Sequence, residues 1–326
     1  MRALLKIAVV LVSALLPLLA LETFSLLTKD SDKWHDPNTR FDAELGWSPI
    51  PSRAFVNAWG RVTSNARGFR TPEVDDGKPQ ILILGDSVVW GYGVSDEQTM
   101  TSFLQKRLVA ENVQVENLGV SGYGLDQDYL ALRRHAAGVK KLKAVVLCVF
   151  AGNDLIETGT DNSYGRRKPL FTMVDGRLAP VHARIRKYCM RNVISLTAFG
   201  RNIPRKWAAA LAGDRTLPRA ETERVAAALI EETAKLAESR GAEFYVVLLP
   251  NRDDFSGRSA DNIWFRDLLG RSRYRWLDYL AAVGKTEPNA LYHPGDSAHF
   301  SAAGNRVFAD VLYAFMSSPK TGAGAR

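Results

Sequence analysis

A serine stands directly after a run of apolar residues at Ile81–Ser87, which reads Ile-Leu-Ile-Leu-Gly-Asp-Ser. The apolar run predicts a buried strand, and Gly85 allows the backbone to turn sharply at its end. Ligands of open α/β sheets bind outside the carboxyl ends of the strands, so Ser87 stands where a nucleophile would meet a substrate. In isolation, the segment also fits a simple strand exit with an Asx-type hydrogen bond.

Two later segments could supply hydrogen-bond donors to a developing negative charge. Asn117–Gly124 follows a short strand-like run, and Gly122 would let a backbone N–H come close to a ligand. The sequence Gly-Asn-Asp at 152–154 follows the unbroken apolar run Ala144–Phe150, and Asn153 offers an uncharged NH2 donor. Taken singly, each segment is better explained as an ordinary turn or helix cap.

The candidates for a general base are few, because the chain contains five histidines. Asp296 stands three residues before His299, so its carboxylate can accept the imidazole N–H and fix which ring nitrogen faces a serine. Asp296 could also cap the helix predicted to begin near Ser301, and capping is compatible with catalysis. We interpret His293 as a loop residue and His135 as a surface residue of a helix.

As a set, these motifs resemble those of the SGNH hydrolases, also called the GDSL esterase/lipase family, from about Ile81 to about Phe315. The resemblance implies that Ser87 is the nucleophile and that His299, oriented by Asp296, is the base. It also implies an oxyanion hole formed by the N–H groups of Ser87 and Gly122 with the side chain of Asn153. Val88 replaces the leucine that is usual in the original lipase subgroup, and the segment 65–70 resembles membrane-anchored bacterial members.

The implied chemistry is ester hydrolysis through an acyl-enzyme, and it needs no cofactor and no metal. An acylated small molecule, a glycan or a lipid would be the substrate, and deacetylation of a glycan is one such reaction. The same residues would serve an O-acyltransferase that uses a hydroxyl of an extracytoplasmic polysaccharide in place of water. A non-catalytic glycan-binding or assembly protein with this fold is a further alternative.

Other chemistries lack their sequence signatures. The chain has no Gly-x-Ser-x-Gly, no His-Glu-x-x-His and no P-loop. Asp-Ser followed by an aliphatic residue also resembles a phosphopantetheine attachment site, but that site belongs to a small helical carrier domain. No nucleic-acid motif is present, so nucleic acid is not an expected partner despite the net charge of +8.

Apolar runs and helical patterns alternate after Ile81. Strands are predicted at about 80–85, 113–117, 144–150, 244–249 and 289–292, and helices at about 98–111, 126–137, 220–240 and 301–317. Such alternation predicts an α/β fold with a parallel sheet covered on both faces. The resemblance implies a flavodoxin-like three-layer α/β/α sandwich with strand order 2-1-3-4-5.

The N-terminus predicts membrane targeting. Arg2 and Lys6 precede the aliphatic stretch Ile7–Leu21, which is intermediate in length between a signal-peptide core and a full span. Residues 1–27 are therefore interpreted as a signal-anchor or a signal peptide, with the anchor favoured because no convincing cleavage site is present. The positive residues would stay inside, so the catalytic domain would lie on the periplasmic side of the inner membrane, or be secreted after cleavage.

The rest of the chain divides into three parts. Residues 28–79 are polar, rich in proline and aromatic residues, and predict an irregular preface that packs on the hydrolase domain at 80–320. Within that domain, residues from about 157 to 219 predict a basic insertion, since Thr160–Arg219 holds thirteen Lys or Arg against three Asp or Glu. The insertion could bind anionic lipid or an acidic polysaccharide, or simply be a solvated surface. Asp175-Gly176 predicts a hairpin in this insertion that could form a lid.

Cys148 lies inside the apolar run Ala144–Phe150 and is expected to be a buried free thiol.

Overall fold

The computed structural model of the 326-residue chain describes residues 38–164, 166–182, 185 and 213–319, together with residues 6, 13, 15–17, 19 and 20. Its strands are β1 Thr39–Asp42, β2 Gly46–Pro49, β3 Ala54–Asn57, β4 Gly60–Thr63, β5 Gln80–Leu84, β6 Gln114–Asn117, β7 Leu142–Phe150, β8 Asn162–Ser163, β9 Arg166–Arg167, β10 Phe171–Val174, β11 Arg177–Pro180, β12 Glu243–Leu249 and β13 Arg275–Asp278. Its α-helices are α1 Ser87–Trp90, α2 Met100–Leu108, α3 Leu125–Ala136, α4 Asp154–Thr158, α5 Arg219–Ser239, α6 Ala260–Gly270, α7 Tyr279–Val283, α8 Pro288–Leu291 and α9 Ala302–Ser317.

The centre of the fold is a five-stranded parallel sheet. Its order is β6-β5-β7-β12-β13, and each neighbouring pair is parallel. Numbered along the chain, these strands run 2-1-3-4-5, the order that the family resemblance implied. The predicted parallel sheet flanked by helices is confirmed. The three strands followed by the candidate site segments, β5, β6 and β7, are therefore side by side.

One predicted strand is wrong. Residues 288–291 form the short helix α8, which begins at Pro288, a residue whose fixed φ suits the first turn of a helix. The fifth strand of the sheet is instead β13, which reads Arg-Trp-Leu-Asp and lies at the sheet edge with each residue only half-buried. Because an edge strand of four residues needs no continuous apolar run, its sequence gives a weak signal.

The core lies on both faces of the sheet, because successive side chains of a buried strand point to opposite sides. In β7, Leu147 and Val149 join the cluster that α3 and α5 cover, whereas Val146 and Cys148 join the cluster that α2 and α9 cover. The expectation of a buried free Cys148 is confirmed, and burial raises the pKa of its thiol. The strand is apolar throughout because neither face meets water.

The preface is more regular than expected. Within it, β1 pairs with β2 and β3 pairs with β4, giving two antiparallel hairpins in place of a wholly irregular segment. The first hairpin contacts the hydrolase domain through the Tyr123 hydroxyl, which donates to the Trp47 carbonyl at 2.6 Å. These short strands were not predicted because they lack an alternating apolar pattern. They are buried by contact with the hydrolase domain.

The hairpin predicted at Asp175-Gly176 is present as β10 and β11. Both turn residues have positive φ, 49° and 75°, as the tight turn between Val174 and Arg177 requires. Phe171 packs into the core cluster beneath α3 and α5, and Thr172 bonds to Glu221 of α5. The described contacts of this hairpin include α3, through the Tyr129 ring, and α5, and none is with Ser87 or His299.

The basic run Arg166–Lys168 serves the fold and does not form an open cationic surface. Arg166 stacks on the Trp47 ring at 4.0 Å, and Arg167 pairs with Asp161 and Asp214. The side chain of Lys168 is fully buried and pairs with Asp126, while carbonyl groups of residues 157, 160 and 169 accept its other hydrogen bonds. Four further cations of the predicted basic insertion lie outside the described residues: Arg184, Arg186, Lys187 and Arg191.

Replacing Lys168 with alanine is expected to lower the free energy of unfolding by about 3–5 kcal/mol, because it leaves the buried Asp126 carboxylate without its partner. Urea denaturation would measure the loss. Lys140→Ala removes an exposed lysine and is expected to change stability by less than about 0.5 kcal/mol. A Lys168→Ala protein as stable as the Lys140→Ala protein would contradict the importance of this pair.

No helix in the described part of the chain is long and apolar enough to cross a bilayer. The predicted anchor at 1–27 lies almost entirely outside that part.

Candidate active site

Ser87 begins α1 directly after the carboxyl end of β5. The Asp86 carboxylate caps this helix by accepting a hydrogen bond from the Val88 N–H at 2.9 Å. Gly85 has a φ of +151°, and a Cβ there would lie 2.6 Å from the Val89 side chain and 3.2 Å from the Cys148 carbonyl. Only glycine fits this turn, which presents the Ser87 hydroxyl at the edge of the sheet.

The structure brings three of the predicted site residues into one hydrogen-bonded chain. Ser87 Oγ lies 2.9 Å from His299 Nε2, although 212 positions separate the two residues. His299 Nδ1 lies 2.7 Å from Asp296 Oδ2. If Nδ1 donates its proton to the carboxylate, Nε2 is left to accept the proton of Ser87.

Asp296 is held as a carboxylate by its surroundings. Partial burial would raise its pKa, but hydrogen bonds from the His299 ring and from the backbone N–H of Ala298 outweigh burial and hold the pKa well below its usual range. The same carboxylate accepts the backbone N–H of His299 at 3.1 Å. The loop therefore keeps Asp296 negatively charged and holds the His299 ring in a fixed orientation.

Helix α9 begins just beyond this loop and is capped by a different residue. The Ser301 side chain accepts the Gly304 N–H at 3.2 Å, so Asp296 is not the cap of α9. A Cβ on Gly304 would lie 2.0 Å from the Leu291 carbonyl, so α9 packs directly on the segment before His293. This packing anchors the loop that carries His299.

Gly122 and Asn153 follow the two strands that flank β5. The loop after β6 is tied to the serine turn, because the Val120 N–H donates to the Gly85 carbonyl at 3.0 Å. Gly122 is buried with a φ of +78°, and a Cβ there would lie 2.7 Å from the ring of Tyr164. The loop after β6 thus needs glycine at this position, and Tyr164 at the start of the insertion covers it.

Asn153 immediately precedes α4, at the carboxyl end of β7. Its side chain makes no capping hydrogen bond to that helix. Burial raises the pKa of Asp86, and a hydrogen bond from the Asn153 amide offsets part of that rise. Asn153 is therefore beside the residue that precedes the serine. Its Oδ1 atom is buried and has no partner among the described residues.

A group of buried carboxyls behind the serine was not anticipated from the sequence. Asp86, Asp128 and Asp154 are each almost completely buried, and this burial is the main cause that raises their pKa values. Repulsion from the neighbouring carboxyls raises the pKa values of Asp128 and Asp154 further. The Asp154 carboxylate accepts the Phe150 N–H at 2.8 Å and so fixes the turn after β7. Asp128 stands among the apolar positions of α3, and this placement is the feature of the sequence that could have predicted its burial.

In the part of the chain that the structure describes, no histidine other than His299 is hydrogen-bonded to Ser87, and His182 lies instead 3.4 Å from Asp161. His135 is not a surface residue as predicted: its ring packs on Phe69 at 4.5 Å, and burial, reinforced by nearby Arg134, lowers its pKa to about 4. His293 adjoins the loop, donating its backbone N–H to the His299 carbonyl at 3.1 Å. His35 lies outside the described residues.

An aromatic side chain that was not predicted to belong to the site contacts the candidate base. The Tyr92 ring lies 4.5 Å from the His299 ring, and its backbone N–H donates to the Ser87 carbonyl at 3.0 Å. Tyr92 follows Ser87 by five residues, just beyond the short helix α1. A residue just beyond a helix of one turn lies close to the residue that begins the helix, so this spacing could have predicted the contact.

Comparison with known proteins places the chain in a family. The sequence model of the GDSL-like lipase/acylhydrolase family matches residues 83–307, which is more than two thirds of the chain. The comparison with curated proteins gives no match.

The chain also resembles solved structures, each at low sequence identity. TesA is 15% identical, with 73% of this chain and 98% of that chain covered and a TM-score of 0.44. The esterase EstA of Pseudoalteromonas sp. is 15% identical, with 73% and 97% covered and a TM-score of 0.40. A variant of an acetyl xylan esterase of Geobacillus stearothermophilus is 13% identical, with 73% and 94% covered and a TM-score of 0.44. On the match to its sequence model, this chain belongs to the GDSL-like lipase/acylhydrolase family.

Proposed function

We propose that this protein hydrolyses carboxylic esters through an acyl-enzyme formed on Ser87. The observation that carries the proposal is the hydrogen-bonded chain from Ser87 through His299 to Asp296. An isolated serine hydroxyl is a weak nucleophile, and a base within hydrogen-bonding distance activates it. Family membership supports ester chemistry in general, and the chain of contacts supports this mechanism in particular.

In the first half of the reaction, Ser87 Oγ attacks the acyl carbon while its proton passes to His299 Nε2. The carbonyl oxygen becomes negative, and Asp296 stabilises the imidazolium that forms. When the tetrahedral intermediate collapses, the bond from carbon to the alcohol oxygen breaks, and the imidazolium returns the proton to that oxygen. In the second half, His299 takes a proton from water as the water oxygen attacks the acyl carbon. The bond from that carbon to Ser87 Oγ then breaks, the imidazolium returns its proton to Oγ, and the acid is released.

The negative oxygen would be stabilised by the N–H groups of Ser87 and Gly122 and by the side-chain NH2 of Asn153. The support for this oxyanion hole is positional: the three residues follow the neighbouring strands β5, β6 and β7. Preorganised donors of this kind are worth more in a partly buried site than in water, because they need no reorientation during the reaction.

Pre-steady-state kinetics with p-nitrophenyl acetate tests the acyl-enzyme. If deacylation is the slower half, p-nitrophenolate appears in a burst of about one equivalent per enzyme before the steady rate. Trapping the protein during turnover and finding an acetyl group on Ser87 would identify the site. An acetyl group on another residue, with Ser87 unmodified, would contradict the proposal.

Asn153→Ala is expected to lower kcat for p-nitrophenyl acetate by about 10²–10³ while leaving KM within a few fold, because the lost donor acts on the transition state. Stability should change little, since the Asn153 side chain does not cap α4. Asn289→Ala, at an exposed position of α8, is the matched control. A kcat for Asn153→Ala equal to that of the control would remove Asn153 from the oxyanion hole.

We also propose that the protein acts outside the cytoplasm, held by residues 1–27. The support is the order of the sequence itself, with Arg2 and Lys6 before an aliphatic stretch. Adding protease to intact spheroplasts should degrade the catalytic domain and spare a cytoplasmic marker. Protection of the domain in spheroplasts that are degraded after lysis would contradict this location.

A further inference from the structure

Trp59 and Tyr92 form an aromatic pair next to His299, which we name the aromatic ledge. The ring centroids of Trp59 and Tyr92 are 4.4 Å apart, and those of Tyr92 and His299 are 4.5 Å apart. Tyr92 remains 40% exposed despite both contacts, and Trp59 is half-buried. Large apolar rings left open to solvent beside a reactive group are candidates for contact with a ligand.

The ledge is held in place by hydrogen bonds. Trp59 stands in the turn between β3 and β4, where its backbone N–H donates to Asn57 Oδ1 at 2.9 Å. Asp96 accepts hydrogen bonds from Thr63 of the same hairpin at 2.7 Å and from Arg70 at 2.9 Å. Since Asp96 lies in the segment after Tyr92, these bonds fix the preface hairpin against the loop that carries the tyrosine.

Tyr92 is in turn fixed to the nucleophile, because its backbone N–H donates to the Ser87 carbonyl. In the described part of the chain, the Tyr92 hydroxyl has no hydrogen-bond partner, so it can bond to a ligand. The ledge therefore combines two ring surfaces with one free polar group, and it is built partly from Trp59, which precedes the matched family span 83–307.

The reaction chemistry determines which part of an ester the ledge would contact. During acylation, His299 Nε2 returns the proton to the alcohol oxygen, so that oxygen must come within about 3 Å of the imidazole. The Tyr92 ring packs on the same imidazole. The alcohol part of the ester, rather than its acyl part, is then the part that leaves along the ledge.

We propose that the aromatic ledge is the subsite for the alcohol part of the substrate and that it binds a sugar ring. This inference rests on the proposed esterase function and extends it to a substrate class. A pyranose presents a flat face of C–H groups that can cover an aromatic ring, and hydroxyls at its edge can reach the Tyr92 hydroxyl. A short alkyl alcohol is too small to cover both rings.

The test compares two acetates that share one acyl group, xylose tetraacetate and ethyl acetate. Trp59→Ala is expected to lower the ratio of their kcat/KM values, sugar ester over ethyl ester, by about tenfold. Trp59→Phe should restore most of that ratio. Phe41→Ala removes a 40% exposed aromatic residue from the other preface hairpin and should leave the ratio unchanged.

Three results would overturn the sugar subsite. The ratio could stay the same in Trp59→Ala, both rates could fall equally, or the loss could appear with phenyl acetate and not with the sugar acetate. Labelling of Ser87 by a small fluorophosphonate separates these failures from a failure of the proposed function. If any of these three results is found while Ser87 of the wild-type protein is labelled, only the proposal of a sugar subsite is wrong. If wild-type Ser87 is not labelled and no acetate is cleaved, both proposals fail.

Discussion

Replacing Ser87 with alanine is expected to lower kcat for p-nitrophenyl acetate by about 10⁴–10⁶, with little change in KM or in the unfolding temperature. The substitution removes the atom that would attack the acyl carbon, while the caps and packing around α1 depend on Asp86 and Val89. Residual activity would come from the oxyanion donors and from binding alone. Steady-state rates, with thermal unfolding as a check of the fold, measure both effects.

Ser102→Ala is the matched control, because this half-buried serine lies on α2 and takes no part in the hydrogen-bonded chain. Its rate should stay within about twofold of the wild type. Should Ser87→Ala retain the wild-type rate on a purified sample, a different residue would have to be the nucleophile.

Replacing Asp296 with asparagine is expected to lower kcat by about 10⁴. The carboxylate accepts the N–H of His299 Nδ1, and the hydrogen bonds that hold its pKa below the usual range favour its ionised form at neutral pH. Asparagine would present an NH2 group to Nδ1, favour the tautomer with the proton on Nε2, and so prevent Nε2 from accepting the proton of Ser87. The imidazolium would also lose its counter-charge.

The double variant Ser87→Ala/Asp296→Asn should be no slower than Ser87→Ala alone, because residues that act as a unit have non-additive effects. Asp253→Asn, whose parent carboxylate is 80% exposed in the neighbouring loop, serves as the charge-matched control. Multiplicative losses in the double variant would show that Asp296 and Ser87 act independently.

The site could be predicted from sequence to the extent that its residues are tied to strand ends. Ser87, Gly122 and Asn153 each follow an apolar run, and parallel strands bring their carboxyl ends to one edge of the sheet. The spacing of Asp296 and His299 carries the same kind of local information. The structure brings Ser87, His299 and Asp296 into contact, and it places Gly122 and Asn153 in the adjoining loops.

The contacts that depend on tertiary packing could not be predicted. Trp59 packs against Tyr92 because the hairpin β3–β4 is hydrogen-bonded to Asp96. The sequence pattern around either residue does not predict such a contact. Lys168 looked like part of a basic surface, because a charged run is ordinarily solvated, whereas the fold buries it against Asp126. The edge strand β13 was missed for a related reason: a strand that is half-covered shows neither a continuous apolar run nor a clear alternation.

Whether His299 activates Ser87 can be measured by the rate of fluorophosphonate labelling, followed by peptide mass spectrometry, because the reagent reports an activated serine without needing the natural substrate. We expect one adduct per chain, on Ser87, and a labelling rate that falls by several orders of magnitude in His299→Ala while the protein stays folded. An adduct at another residue, or a Ser87 adduct that forms equally fast without His299, would contradict this expectation.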